Sequence, residues 1–356
     1  MVIRKVLAGA GTFHEKTYCY SDLAKSVAEI RSVLPKDVEM DFMLIEGSRP
    51  ERRDEACRRL LEEFTKADTL LHMLKLEDLP NTDKHWEWSS RQRICYKENY
   101  MAKRALDDYD AFLSWEVDVV PPAKEFEKRW PVWAKHAEAG HVVSALMPHN
   151  QEGDTKNFLA YNFHPAQLKV DDAVAMEHFV EYTKDGVVVK REPLRIKDKP
   201  KIDALVLCTE RSKCTEYKKY ECNGSDRKCV RYIPPQTELE VTTSAAWTID
   251  NPKWVTDNYG NKTLQMTLLS TRPVRDIKTI PTEPDGLIRC HGGHMGFTLI
   301  PSKLFEKYAF RYKPHVRHHP DSWFFLDLAK DDIPSYVDPS LEVVHNHREW
   351  SGEVTW

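Results

Sequence analysis

The sequence predicts an α/β protein built on a mostly parallel sheet flanked by helices. Three observations carry this. Strand-like apolar runs alternate with helical periodicity through the first 150 residues, the alternation lapses between about 165 and 280, and it resumes near 292. With 356 residues, 41% of them hydrophobic, the chain has enough apolar material for one large domain or two ordinary ones.

The elements follow in order. Residues 4–11 (RKVLAGAG) are a short apolar strand, 21–34 (SDLAKSVAEIRSVL) have apolar side chains at helical spacing with Ser21 as N-cap, and 38–47 (VEMDFMLIEG) return to strand. A helix over 52–67, a strand over 69–76 and a long helix over 90–108 lead into YDAFLSWEVD, 109–118. Pro121 and Pro122 open the next helix, and HVVSALMP (141–148) is a strand. Such alternation needs a sheet covered on both faces, where ligands bind beyond the carboxyl ends of the strands.

The middle reads differently. YTKDGVVVKREPLRI has the pattern of a hairpin around Asp185 and Gly186, and TELEVTTSAAWTI and KTLQMTLLSTRPV are polar strand-like pieces. The expected organisation is a first half over 1–164, a largely β and loop insertion over 165–284, and a second half of the same domain over 285–356. That second half holds a strand within 292–308, then a helix and a strand within 321–347.

Lys plus Arg number 52 against 56 Asp plus Glu, a net charge of −4, so no basic excess points to nucleic acid as a partner. No apolar window approaches a membrane span, and the first 22 residues lack a signal-peptide pattern. The expectation is a soluble, cytoplasmic protein with no membrane span.

The stretch FLSWEVDVVPP (112–122) ends an apolar run in two acids, Glu116 and Asp118. Side chains at i and i+2 of a strand project to the same side, so both carboxylates converge beyond the strand while Val117 points away. Hard divalent cations prefer carboxylate oxygens and share them with substrate phosphates. Taken alone, the pair reads more simply as the start of a solvated turn before Pro121.

Four segments in succession alter that balance: DFMLIEGS, DAFLSWEVDVVPP, GGHMGFTLIPSKLF and DSWFFLDLAKDDIPSYVDPSLEVVH. In this order they resemble a GT-A glycosyltransferase, most similar to glycosyltransferase family 2, over roughly 1–160 and 285–347. The resemblance implies a GT-A fold and a nucleotide-sugar donor bound through Mn2+ or Mg2+. The acceptor would be a hydroxyl of a glycan, a lipid-linked sugar or a protein. Residues 1–164 would then be the nucleotide-sugar half and 285–356 the acceptor half.

Residue by residue, the resemblance makes Asp118 the direct metal ligand and Glu116 the contact to ribose or metal-bound water. Glutamate stands where aspartate is commoner, and Val117 where many members have a third acid. Glu46 matches the acid that contacts the nucleoside. Arg91 and Arg93 lie where relatives place a basic residue near phosphates or base; two residues apart, they cannot share one helix face. Gly292 and Gly293 match a turn lining donor and acceptor. Asp321, at a helix start, matches the general base, as a single acid followed by Ser322 where two acids are common; it reads equally as an N-cap. His345 matches the histidine that completes the metal site, with His347 a second candidate and His318 and His319 flanking the acceptor cleft or the base loop. Trp323, Phe324 and Phe325 offer either a sugar-stacking face or core.

Cys19, Cys57, Cys95 and Cys290 read as buried thiols. Cys208, Cys214, Cys222 and Cys229 crowd into a polar stretch with intervals of five, seven and six residues, unlike paired zinc knuckles. Structural Zn2+ in a reducing compartment and two disulfides in an oxidising one are both compatible, and Asn223 and Asn261 begin sequons that matter only on export. The expected function is a metal-dependent, inverting glycosyltransferase. Its rival is a catalytically decayed GT-A module that presents the cysteine-stapled insertion to a protein or glycan, and metal-dependent nucleotide binding separates the two.

Overall fold

The computed structural model describes residues 2–80, 82, 88–148, 282–312 and 319–346 in full, and chiefly strand segments between 149 and 273. Its centre is an eight-stranded mixed sheet. In chain order the elements around it are β1 (Lys5–Thr12), α1 (Tyr20–Val33), β2 (Glu39–Glu46), α2 (Pro50–Lys66), β3 (His72–Lys75), α3 (Ser90–Asp108) and β4 (Ala111–Trp115). There follow β5 (Val119–Val120), α4 (Ala123–Glu138), β6 (Val142–Leu146), β7 (Ile288–Cys290), β8 (Phe297–Pro301), α5 (Pro320–Lys330), β9 (Ser335–Glu342) and β10 (Val344–His345). The sheet order is β7-β9-β6-β8-β4-β1-β2-β3. β1, β2, β3 and β4 run parallel, as do β6 and β9, while β8 is antiparallel between β4 and β6 and β7 is antiparallel on β9.

Strand alternation divides the apolar side chains between two cores. Val6, Ala8, Ala10, Phe42, Leu44 and Trp115 pack with α1, α2 and α4 on one face, and Leu7, Met43, Ile45 and Phe112 pack with α3 and α5 on the other. The sheet is therefore covered on both sides, as its near-continuous hydrophobic strands require. Trp323, Phe324 and Phe325 belong to the second core, at 1% exposure or less, and present no stacking face for a sugar.

One local expectation changes. Helix α1 begins at Tyr20, not at Ser21, and Cys19 at its cap position makes no side-chain cap; Tyr20 is fully buried, so core packing sets the start. Helix α3 instead has the side-chain cap, from Ser89 to the Gln92 N–H. Helix α4 runs through an internal Pro131.

The middle segment is rich in strands that form sheets separate from the central one. Phe179–Lys184 and Val187–Pro200 pair antiparallel, the hairpin expected there, and Lys262–Pro273 lies between Thr248–Thr256 and Tyr161–Asp171. Cys208, Cys214, Cys222 and Cys229, with Asn223 and Asn261, lie outside the described residues. The other four cysteines are buried free thiols.

Candidate functional site

Strand β4 stops at Trp115, and the two acids sit in the turn beyond it. Glu116 N–H donates to Gly296 O at 2.8 Å and Val119 N–H to Glu116 O at 3.0 Å, curling the chain while Val117 drops into the core. The two carboxylates do converge, but a turn brings them together where strand alternation was expected to. Gly296 permits the close approach: a Cβ there would lie 2.6 Å from Met147 Sδ and 2.9 Å from His294 Nδ1.

The third residue of the cluster comes from a segment more than 200 residues further along the chain. β10 pairs antiparallel with β5, setting His345 opposite Val119, and Asn346 N–H donates to Asp118 O at 2.7 Å. His345 Nε2 then lies 3.5 Å from Asp118 Oδ2 and 3.9 Å from Glu116 Oε2. One ligand atom from each of Glu116, Asp118 and His345 falls within 4.8 Å of the others. Two carboxylates and an imidazole at this separation suit Mn2+ or Mg2+.

A fourth residue went unnoticed in the sequence. Lys16, on the turn His14–Cys19 that follows β1, reaches in with its ammonium to ion-pair with Asp118 Oδ2, and both residues are buried. Burial opposes ionisation of Asp118, but hydrogen bonding from His345 and the Lys16 ammonium outweigh it and hold the carboxyl well below its usual range. Glu116 moves the other way: desolvation and the adjacent Asp118 charge push it up to about 7, against the opposing pull of His345.

Beside this corner, at the end of β2, Glu46 is wholly buried. Its Oε1 accepts from Ser48 N–H at 2.7 Å, while Oε2 is buried with no hydrogen-bond partner among the described residues. Desolvation raises its pKa, opposed by Ser48, Lys97 and Arg53. Lys97 is buried and donates to Thr12 O at 2.7 Å; desolvation lowers it to about 8, with Arg93 adding repulsion and Glu46 opposing. Arg93 in turn is lowered by burial and by Arg49. Lys97 and Arg53 thus bring positive charge to Glu46; Arg93, four residues before Lys97 on α3, acts on Lys97, and Arg91 is half-buried on the same helix. Gly11 and Gly47 make room for the lysine: a Cβ on Gly47 would lie 2.5 Å from Lys97 Nζ and one on Gly11 2.9 Å from Lys97 Cδ.

Asp321 occupies the first turn of α5, half-buried, with Oδ1 accepting from Ser322 N–H at 2.7 Å. Glu98 on α3 faces the same region: its Oε2 is buried without a hydrogen-bond partner among the described residues, and burial with the Asp321 and Glu116 charges raises its pKa well above the usual value.

Gly292 and Gly293 are buried ahead of β8, and a Cβ on Gly293 would lie 2.7 Å from Ser144 Oγ, so that glycine packs tightly against β6. His294 Nδ1 accepts from Gly296 N–H at 2.9 Å and Nε2 donates to Ala145 O at 2.8 Å. His319 caps α5 by backbone only, and His318 and His347 lie outside the described residues. Lys16 could have been flagged from position alone, since a loop leaving β1 at the carboxyl edge must pass beside the end of β4. Lys97 was accessible as the i+4 neighbour of Arg93.

No family model and no curated protein matches the chain. Among solved structures it overlaps part of S. aureus TarS 1–349, at 14% identity over 44% of this chain and 41% of that one, TM-score 0.31. It also overlaps M. tuberculosis glucosyl-3-phosphoglycerate synthase, at 10% identity over 40% and 45%, TM-score 0.23. A third is galactosyltransferase LgtC in complex with donor and acceptor sugar analogs, at 14% identity over 41% and 49%, TM-score 0.22. The chain spans less than half the length of each, and overlaps this partial say nothing of activity.

Proposed function

We infer that the protein is a metal-dependent glycosyltransferase that moves a sugar from a nucleoside diphosphate donor to a hydroxyl acceptor with inversion. The observation that carries this is the convergence of Glu116, Asp118 and His345 at the carboxyl edge of β4, beside the buried, cation-ringed Glu46. In this reading Glu46, whose Oε2 has no hydrogen-bond partner among the described residues, binds the nucleoside, and Arg93 supplies positive charge near the phosphates or base. Glu116, Asp118 and His345 hold Mn2+ or Mg2+, which when bound supplies Lewis-acid neutralisation of the departing diphosphate.

Asp321 takes the proton of the acceptor hydroxyl as its oxygen bonds to the anomeric carbon and the bond from that carbon to the diphosphate oxygen breaks. Gly292 and Gly293 line the sugar, and Arg91 stays at the rim. The segment 165–284 is an insertion in the domain, held by its four cysteines through zinc or disulfides, outside the chemistry.

A thermal-shift screen of UDP, GDP and other nucleoside diphosphates, each with and without Mn2+, tests the reading. Stabilisation that requires both metal and nucleotide supports it. No stabilisation by any pair overturns it in favour of a decayed module.

A further inference from the structure

A buried carboxylate persists only with a counter-charge, and Asp118 has one supplied by the chain itself. Lys16 is 9% exposed and Asp118 2% exposed, and the ammonium is in direct contact with Oδ2, the oxygen that His345 Nε2 approaches to 3.5 Å. The same carboxylate belongs to the set that would ligate a divalent cation. A cation entering that corner therefore meets a positive charge already seated.

Charge counting gives the consequence. Lys16 and Asp118 cancel, and adding two positive charges beside an ammonium in a water-poor corner is opposed by repulsion at contact distance. A nucleoside diphosphate brings compensating negative charge and a new anion for the ammonium. The lysine stem has four carbons and springs from a short turn outside the sheet, so it can withdraw without moving a strand.

We propose that Lys16 is a tethered cation that occupies the Asp118 corner in the nucleotide-free protein and yields it to a divalent cation when a nucleoside diphosphate arrives. It is a positioning residue that couples metal binding to donor binding, and this rests on the metal-dependent reading above.

The test measures Mn2+ affinity from the EPR signal of free Mn2+, with and without UDP or GDP and corrected for Mn2+–nucleotide association in solution. The proteins are wild type, Lys16→Met, Lys16→Gln, Lys16→Arg and Lys36→Met. Lys36 is exposed before β2, at the edge of the sheet away from the site, and its removal makes the same change in net charge. Without nucleotide, Lys16→Met and Lys16→Gln are expected to bind Mn2+ about tenfold tighter than wild type, with Lys36→Met within about twofold. Nucleotide then tightens Mn2+ binding by about tenfold in wild type and Lys16→Arg, and by no more than about threefold in the neutral variants. Should Lys16→Met fail to fold, Lys16→Gln decides.

Neutral variants that bind Mn2+ no tighter than wild type, while wild type still shows metal-dependent nucleotide binding, overturn the proposal alone. Absence of Mn2+ binding in every protein, with or without nucleotide, overturns the metal-dependent reading and the proposal with it.

Discussion

His345 and Asp118 are joined twice: the imidazole Nε2 lies 3.5 Å from Asp118 Oδ2, and the next residue, Asn346, donates its N–H to Asp118 O at 2.7 Å. Backbone and side chain thus fix the same pair. The side-chain half of this arrangement can be removed while the backbone half stays.

Asp118→Asn should therefore keep the fold while losing the chemistry. Donor hydrolysis is expected to fall at least about 100-fold and the metal-dependent thermal shift to vanish. Lys16 loses its buried counter-charge, so the unfolding free energy in urea should drop by about 3 kcal/mol. Unchanged hydrolysis would remove Asp118 from the mechanism.

Asp321→Asn separates proton transfer from binding. Transfer to acceptor should slow by about 100-fold or more, the range for a lost general base, while Mn2+-dependent stabilisation by nucleotide stays at the wild-type level. If both are lost together, Asp321 serves donor binding and is not the base.

Gly47→Ala tests the lysine cradle. Its new Cβ would stand 2.5 Å from Lys97 Nζ, so the ammonium must leave Thr12 O or the loop after β2 must shift. The expected cost is about 1–3 kcal/mol by chemical denaturation. Combined with Lys97→Ala, it should cost less than the sum of the two single changes, because they share one contact.

Acid should weaken the fold through His294. Both ring nitrogens are committed as a neutral tautomer, and burial, together with the His345 charge, lowers its pKa to about 4 from an ordinary 6.5. Between those values the unfolded chain binds the proton and the folded one does not, so stability rises with pH across that window. The contribution lost on going from pH 7 to 4 is on the order of 3 kcal/mol. Urea unfolding over this range should show a shallower slope for His294→Gln than for wild type; parallel curves would contradict the neutral assignment.

The sheet was legible because periodicity is a local property: β1, β2, α2 and α3 fall within a few residues of where apolar spacing puts them. Boundaries failed where tertiary packing decides, as at Tyr20, which the core pulls into α1 ahead of Ser21. The site was legible in part. Glu116 and Asp118 declare themselves as acids ending an apolar run, but His345 joins them only through strand pairing between distant segments, which spacing cannot show. Lys16 was within reach through its place on the loop leaving β1, but nothing in the local pattern around Glu98 distinguishes it, and the fold is what turns it toward the corner.

Asp338 gives one more consequence. Its buried carboxylate accepts from Arg129 Nε at 2.6 Å, Trp133 Nε1 at 2.9 Å and Ser340 N–H at 3.0 Å, just before the register of β9 against β6 shifts and the chain turns to deliver His345. Helix α4 is therefore tied through Asp338 to the strand whose continuation carries His345. Substitutions at Arg129 or Trp133, neither of them a member of the Glu116, Asp118 and His345 cluster, are expected to look in an assay like lesions of that cluster.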